Sequence, residues 1–250
     1  KIPFRSNLKL SEKQIIAANQ NNDLIFYDIY NGDIIKLIPT EETTIKNRFV
    51  NNLSISKDSI FFLNTYGSFY SIDKKTMRIN WFLNLNRSLD QNPSNLFSGN
   101  EIINHGKNII VSTNDATYIL DANNGKINFK KNFSSNIKPI VSNNFLFVVS
   151  KSNLLICVNL IDNKILYSYN INQIIADYIN TKKKNVFIKS YFILNNKLFI
   201  FLQNFYYLKL ELNGNLIELK KLPSKMTSQP IVINGSLIYL STKNRLVMLN

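Results

Sequence analysis

Cysteine is almost missing from this chain: Cys157 is the only one in 250 residues. A single thiol excludes an internal disulfide framework and any all-cysteine metal site. It lies in the apolar stretch "LLICVNL", where a buried structural thiol is the expected role. Histidine is as scarce. His105, in the turn "NHGKN", is the only one, so no zinc-type histidine pair exists. Nor is there a phosphate-cradling glycine loop or a nucleophile elbow. No apolar run reaches the roughly 18 residues that a membrane-spanning helix needs. From these absences we expect no catalytic residues, no cofactor site, no metal site and no enzymatic activity.

Glycine and proline are also few, at 7 and 6. A chain that turns often needs residues that tolerate the left-handed backbone conformation. Asparagine, clustered in "NQNND", "NNG" and "NNK", is expected to take that role. Acidic residues number 16 against 30 basic ones, a formal net charge of +14. That balance has two readings. One is an anionic partner. The other is codon composition, because Ile, Asn, Lys, Phe and Tyr all rise together in an AT-rich gene. Apart from Lys182, Lys183 and Lys184, the lysines are scattered through turns rather than gathered in a block. Tyr and Phe lie inside apolar strand-like runs, where the core claims them, so nucleic-acid binding is not expected.

What is present in quantity is a repeat. The unit is an apolar strand, a short polar turn, a second apolar strand, a polar corner and a final strand. "NLSISKDSIFFLNTYGSFYSIDKKTMRINWFL" and "EIINHGKNIIVSTNDATYILDANNGKINFKK" are two copies. Taking the residue that opens the last corner as anchor gives Asp28, Asp73, Asp121, Asn159, Leu210 and Asn250. Their spacings of 45, 48, 38, 51 and 40 residues suit propeller blades of four short strands. Four residues after the anchor stand Gly32, Gly125 and Gly214, with Met77 and Asn163 in the remaining complete copies. An Asp or Asn side chain can bond the backbone two residues on, and Gly accepts a positive φ. The corner residues are therefore structural, not a catalytic carboxylate series.

Runs such as "SIFFLN", "NIIVST" and "FLFVVS" read as strands covered on both faces, while "GKINFKKNF" alternates like an outer strand with one wet face. One window breaks the pattern. In "INQIIADYIN", Ile171, Ile174, Ile175, Tyr178 and Ile179 fall on one helical face. A helical insertion near residues 171–184 is expected, with Lys182–Lys184 complementing its C-terminal dipole. The fold class is thus all-β, a propeller of four-stranded antiparallel blades. Residues 1–250 form a single propeller domain or fragment, with about five full blades and a partial sixth.

The corner "TYILDANNGKINFKKNF" resembles the repeat of pyrroloquinoline-quinone-like propellers, in which a hydrophobic pair and Asp precede a Gly-Lys turn and an aromatic, typically Trp. The aromatic position holds Phe129 and Trp81 here, and Lys36, Tyr167 and Glu218 in the other complete copies. Spacing, and the steps "NPSNLF", "KPIV" and "QPIVINGSLIYL", are most similar to the BamB family of outer-membrane assembly lipoproteins. That resemblance implies an eight-bladed propeller held by a lipid anchor outside this segment, in the periplasm and peripheral to the outer membrane. It implies a monomer within a complex that binds the periplasmic domain of a barrel-assembly protein. Two blades and the lipidated N-terminus would then lie beyond this chain. Quinoprotein-type dehydrogenases share the repeat and form the enzymatic alternative; a generic protein-binding propeller of another pathway is the other. Many dehydrogenases of that type use a vicinal cysteine disulfide and calcium-binding carboxylates, and Cys157 has no neighbouring Cys.

Propellers recognise partners through the loops between blades. Two such loops are long: "PTEETTIKNRF", with Glu41 and Glu42, and "NLNRSLDQNPSNLF", with Arg87, Leu89 and Asp90. An Arg beside an apolar residue and a carboxylate is a plausible interface nucleus, because Arg offers a planar donor fork and Leu a small anchor. These five residues are the expected partner-binding set.

Overall fold

The computed structural model describes residues 2–41, 50–86, 97–135 and 137–249. They fold into six antiparallel sheets, each a blade whose strands follow in chain order. Blade 1 contains β1 (Lys9–Ser11), β2 (Gln14–Ala18), β3 (Leu24–Asp28) and β4 (Ile34–Ile38). Blade 2 has β5 (Asn52–Ile55), β6 (Ser59–Leu63), β7 (Ser68–Asp73) and β8 (Ile79–Asn84). Blade 3 has β9 (Ile103–His105), β10 (Asn108–Ser112), β11 (Thr117–Asp121) and β12 (Ile127–Lys131). Blade 4 has β13 (Ile140–Ser142), β14 (Phe145–Val149), β15 (Leu154–Asn159) and β16 (Lys164–Asn170). After helix α1 (Ile171–Tyr178), blade 5 has β17 (Ile188–Leu194), β18 (Lys197–Leu202), β19 (Tyr206–Glu211) and β20 (Leu216–Lys221). Blade 6 has three described strands, β21 (Ile231–Ile233), β22 (Ser236–Leu240) and β23 (Leu246–Leu249).

The chain forms two compact units, residues 1–138 and 139–250, with three blades each. In the first, β1 lies beside β5 and β5 beside β9; in the second, β13 lies beside β17. First strands side by side are what a propeller requires at its axis. Burial follows the run types in the sequence. The second strands β6, β10 and β14 are buried over their last four residues, whereas the outer strand β4 is mostly exposed and β8 has no buried residue. The cores lie between blades: Ile16, Phe26, Phe62 and Ile72 join blades 1 and 2, while Phe61, Phe69, Ile109 and Leu120 join blades 2 and 3.

The corner repeats in detail. Asp28 Oδ1 accepts from the backbone N–H of Tyr30 and Asn31, Asp73 Oδ1 from Lys75 and Thr76, and Asp121 Oδ1 from Asn123 and Asn124. Gly32, Met77, Gly125 and Asn163 are all left-handed, at φ between +54° and +76°. Asparagine also serves as the expected glycine substitute: nine of the twelve described non-glycine residues with positive φ are Asn. In the fifth copy the sequence anchor is one residue off. Glu211, not Leu210, pairs with Lys197 as Asp28 pairs with Gln14. The turn there is shorter by one residue, closing from Glu211 N–H to Asn215 O, so Gly214 (φ +92°) stands three residues after the anchor.

Each complete blade also carries a β-bulge between its third and fourth strands. The extra residues are Ile35, Asn80, Asn128, Leu166 and Ile217. Each immediately precedes the aromatic position of the motif, held by Lys36, Trp81, Phe129, Tyr167 and Glu218. A bulge bends the strand and re-aims the following side chain.

The helix is shorter than expected and buries a different face. It ends at Tyr178, because Asn180 turns left-handed and Thr181 N–H reaches back to Ala176 O, a Schellman closure. Lys182–Lys184 therefore lie beyond the helix and do not cap it. Ile171, Asn172 and Ala176 are buried, whereas Tyr178 and Ile179 are exposed.

Candidate partner-binding face

The two ends of a blade differ chemically. At one end lie the corners and the first hairpin turns, joined by backbone bonds such as Ile29 N–H to Lys13 O, Lys74 N–H to Asp58 O and Ala122 N–H to Lys107 O. At the other end lie the turns between second and third strands, with the connectors that run to the next blade. The connector segments were the expected binding region. Glu42, Arg87, Leu89 and Asp90 fall outside the described residues. Glu41 does not, and it sits within a hydrogen-bonded network.

Its carboxylate accepts from Asn64 Nδ2 (2.9 Å), Ser68 Oγ (2.8 Å) and Tyr70 Oη (2.7 Å). Burial alone would raise the carboxyl, but the hydrogen bonds from Tyr70, the Glu41 backbone, Ser68 and Asn64 outweigh it and hold it below its usual range. Burial and then Glu41 itself push the Tyr70 phenol up, so that it remains a donor. Around this centre the backbone is tied by buried side chains. Asn22 Nδ2 donates to Glu41 O, and Thr65 Oγ1 donates to Asn22 Oδ1. Asn51 donates to Asn19 O and accepts from Thr65 N–H. The same device recurs further on: Asn52 holds Gly99 O, and Asn100 holds Ser135 O. Asn51 thereby ties the end of the first connector to the β2–β3 and β6–β7 turns, while Asn52 and Asn100 link successive connectors. Buried amides such as Asn22, Asn51 and Asn52 must be paired, and their bonds fix the described backbone around Glu41 and Gly99. Sequence reasoning missed the clamps. Their only signal was the abundance of Asn in the turns.

The corner residues Asp28, Asp73 and Asp121, with Gly32, Gly125 and Gly214, occupy the other end and do shaping work. Trp81 donates its indole N–H to Ala122 O at 3.0 Å and lies over Gly125, where a Cβ would come within 2.7 Å of the ring. In the second unit, Tyr167 Oη donates to Leu212 O at 2.5 Å, and Gly214 has the Tyr169 ring where a Cβ would be. Both bonds run from the fourth strand of one blade to the residue after the corner anchor of the next. Trp81 is a seal between blades, as expected.

Chemically reactive groups are muted. Burial raises the Cys157 thiol to about 11, opposed by a hydrogen bond with Tyr167, so at neutral pH it is not a thiolate. His105 ends β9. Among the described residues no cluster of three or more His, Cys, Asp or Glu could hold a metal, and no helix is long and apolar enough to cross a membrane. In the second unit a cleft of about 400 Å³ is walled by Phe192, Phe199 and Tyr207, whose hydroxyl donates to Glu218.

These blades, corners and bulges define a β-propeller of four-stranded antiparallel units. Among solved structures the chain is similar to BamB from Moraxella catarrhalis, with a TM-score of 0.57 over 98% of this chain and 84% of that one, at 11% identity. The likeness is one of fold. No protein-family profile matches the chain, and no curated protein matches it in sequence.

Proposed function

We propose that the protein is a non-catalytic scaffold of the outer-membrane β-barrel assembly machinery. It binds the periplasmic domain of a barrel-assembly protein through its connector face. The observation that carries this reading is the BamB-like propeller spanning 98% of the chain. The bonds that hold Asn22, Asn51 and Glu41 support it, since backbone already held in place loses little entropy when a partner docks. Glu41, Glu42, Arg87, Leu89 and Asp90 supply the interface, with Glu41 orienting its neighbours through its network. In this role the protein acts in the periplasm, peripheral to the outer membrane and anchored by lipid, as a monomer within a larger complex.

Calorimetric titration with the purified periplasmic repeats of a barrel-assembly protein tests the proposal. Saturable binding is expected, weakened at least tenfold, or about 1.4 kcal/mol, by joint substitution Arg87→Ala and Asp90→Ala. A protein that is folded by circular dichroism and shows no binding would overturn it.

A further inference from the structure

The connector between blades 4 and 5 breaks the repeat, and its side chains are disposed unlike those of any other described connector. Residues 177–185 are all exposed. Within and beside this stretch, Tyr178 is 52% exposed, Ile179 49% and Phe187 71%. Lys182, Lys183 and Lys184 lie between them, and no described residue forms an ion pair with these lysines. The nearest carboxylate in sequence, Asp177, accepts from Gln173 Nε2.

Loose packing does not account for this exposure, because the segment is tied down at both ends. Asn172, buried at 3%, donates to Asn185 Oδ1 and accepts from Val186 N–H, while Asn153 Nδ2 donates to Asn172 Oδ1 and Val186 O. At the far end Gln203 N–H donates to Phe187 O, setting Phe187 beside the β18–β19 turn. In that turn Phe205 is left-handed at φ +70° and 39% exposed. The equivalent turn positions in blades 1, 2, 4 and 6 hold Asn22, Gly67, Asn153 and Asn244, which suit a positive φ. An aromatic residue thus occupies a backbone position that favours Asn or Gly, and is left partly in water.

We infer that this segment docks on a lipid bilayer surface carrying anionic headgroups, with Lys182–Lys184 against the headgroups and Tyr178, Ile179, Phe187 and Phe205 at the interfacial layer. The composition selects this occupant. Lysine is depleted in protein–protein interfaces, whereas lysine clusters beside exposed aromatic and aliphatic side chains are what an anionic membrane surface attracts. None of these residues belongs to the partner-binding set, so either assignment can fail alone.

Vesicle sedimentation at low salt, comparing pure phosphatidylcholine with a mixture containing phosphatidylglycerol, provides the test. The intact protein should bind the anionic vesicles selectively and release them as salt rises. The triple variant Lys182→Glu, Lys183→Glu, Lys184→Glu should bind at least about 100-fold more weakly, since each lysine near such a surface contributes about 1 kcal/mol. Phe187→Ser should weaken binding without changing its salt dependence. The control triple Lys75→Glu, Lys107→Glu, Lys126→Glu changes exposed lysines in two corners and one first hairpin turn of the first unit and should bind nearly as the intact protein does. Equal losses in the two triples would assign the effect to net charge and overturn the inference. So would capture of an acidic peptide by this segment without vesicle binding, or no vesicle binding by folded protein.

Discussion

The corner end and the connector end of blades 1 to 3 solve the same problem, closing one blade onto the next, with opposite materials. The corner end uses an aromatic ring laid on a glycine, Trp81 over Gly125, with one indole bond to Ala122 O. The connector end uses buried amides and one carboxylate, Asn22, Asn51, Asn64 and Glu41. The first seal gains its stability from apolar area and shape. The second depends on every polar group being satisfied, and it fails when one partner is lost. The corner end is therefore built by packing, and the connector end by hydrogen bonds among its described residues.

Removing the ring breaks the corner seal most severely. Trp81→Ala should cost about 3 kcal/mol in chemical denaturation, through lost packing and the orphaned Ala122 carbonyl. Gly125→Ala should cost about 2–3 kcal/mol, because the new Cβ meets both Trp81 and a positive φ. Gly32→Ala meets only the positive φ, with open space around it, and should cost about 1 kcal/mol. In a Trp81→Ala background the cost of Gly125→Ala should fall to that smaller figure. Additive costs would show that ring and glycine are not one device.

The connector seal is probed by Glu41→Gln, expected to cost about 1 kcal/mol at neutral pH after allowance for the carboxylate's partial exposure. The folded-state carboxyl is depressed, so its contribution is present above the ordinary carboxylate range and lost as pH falls through the lowered folded value. Thermal melts of the two proteins should differ at neutral pH and converge only in acid below the lowered folded value. A gap that persists in acid would mean the glutamine disrupts packing rather than removing charge. The smallest effect belongs to Asp121→Ala. It removes two bonds to exposed backbone N–H groups and should cost about 0.5–1 kcal/mol.

How much was legible in advance divides along the same line. The Asp28, Asp73 and Asp121 corners, Gly32 and Gly125 after two of them, and Trp81 as a seal were all readable, because each corner closes within a few residues. The fifth anchor was displaced from Glu211 to Leu210 because a four-residue spacing was carried into a turn one residue shorter. Periodicity continued the helix past Tyr178, since it does not register that Asn180 turns left-handed. Among the five expected partner residues only Glu41 can be placed, and its role as hydrogen-bond acceptor for Tyr70 was invisible in the order of residues.

By itself, the sequence determined an all-β repeat of blades with recurrent polar corners, because strand burial and corner closure depend on period and on neighbours a few positions apart. Only the tertiary structure decided the rest. It showed that a bulge precedes each motif position, that asparagines tie the described connector residues, and that the segment after α1 is held with its lysines and Phe187 exposed. Those clamps join groups separated by 14 to 47 residues, such as Thr65 with Asn51 and Asn52 with Gly99. Only folding brings such partners together, so no local pattern records them.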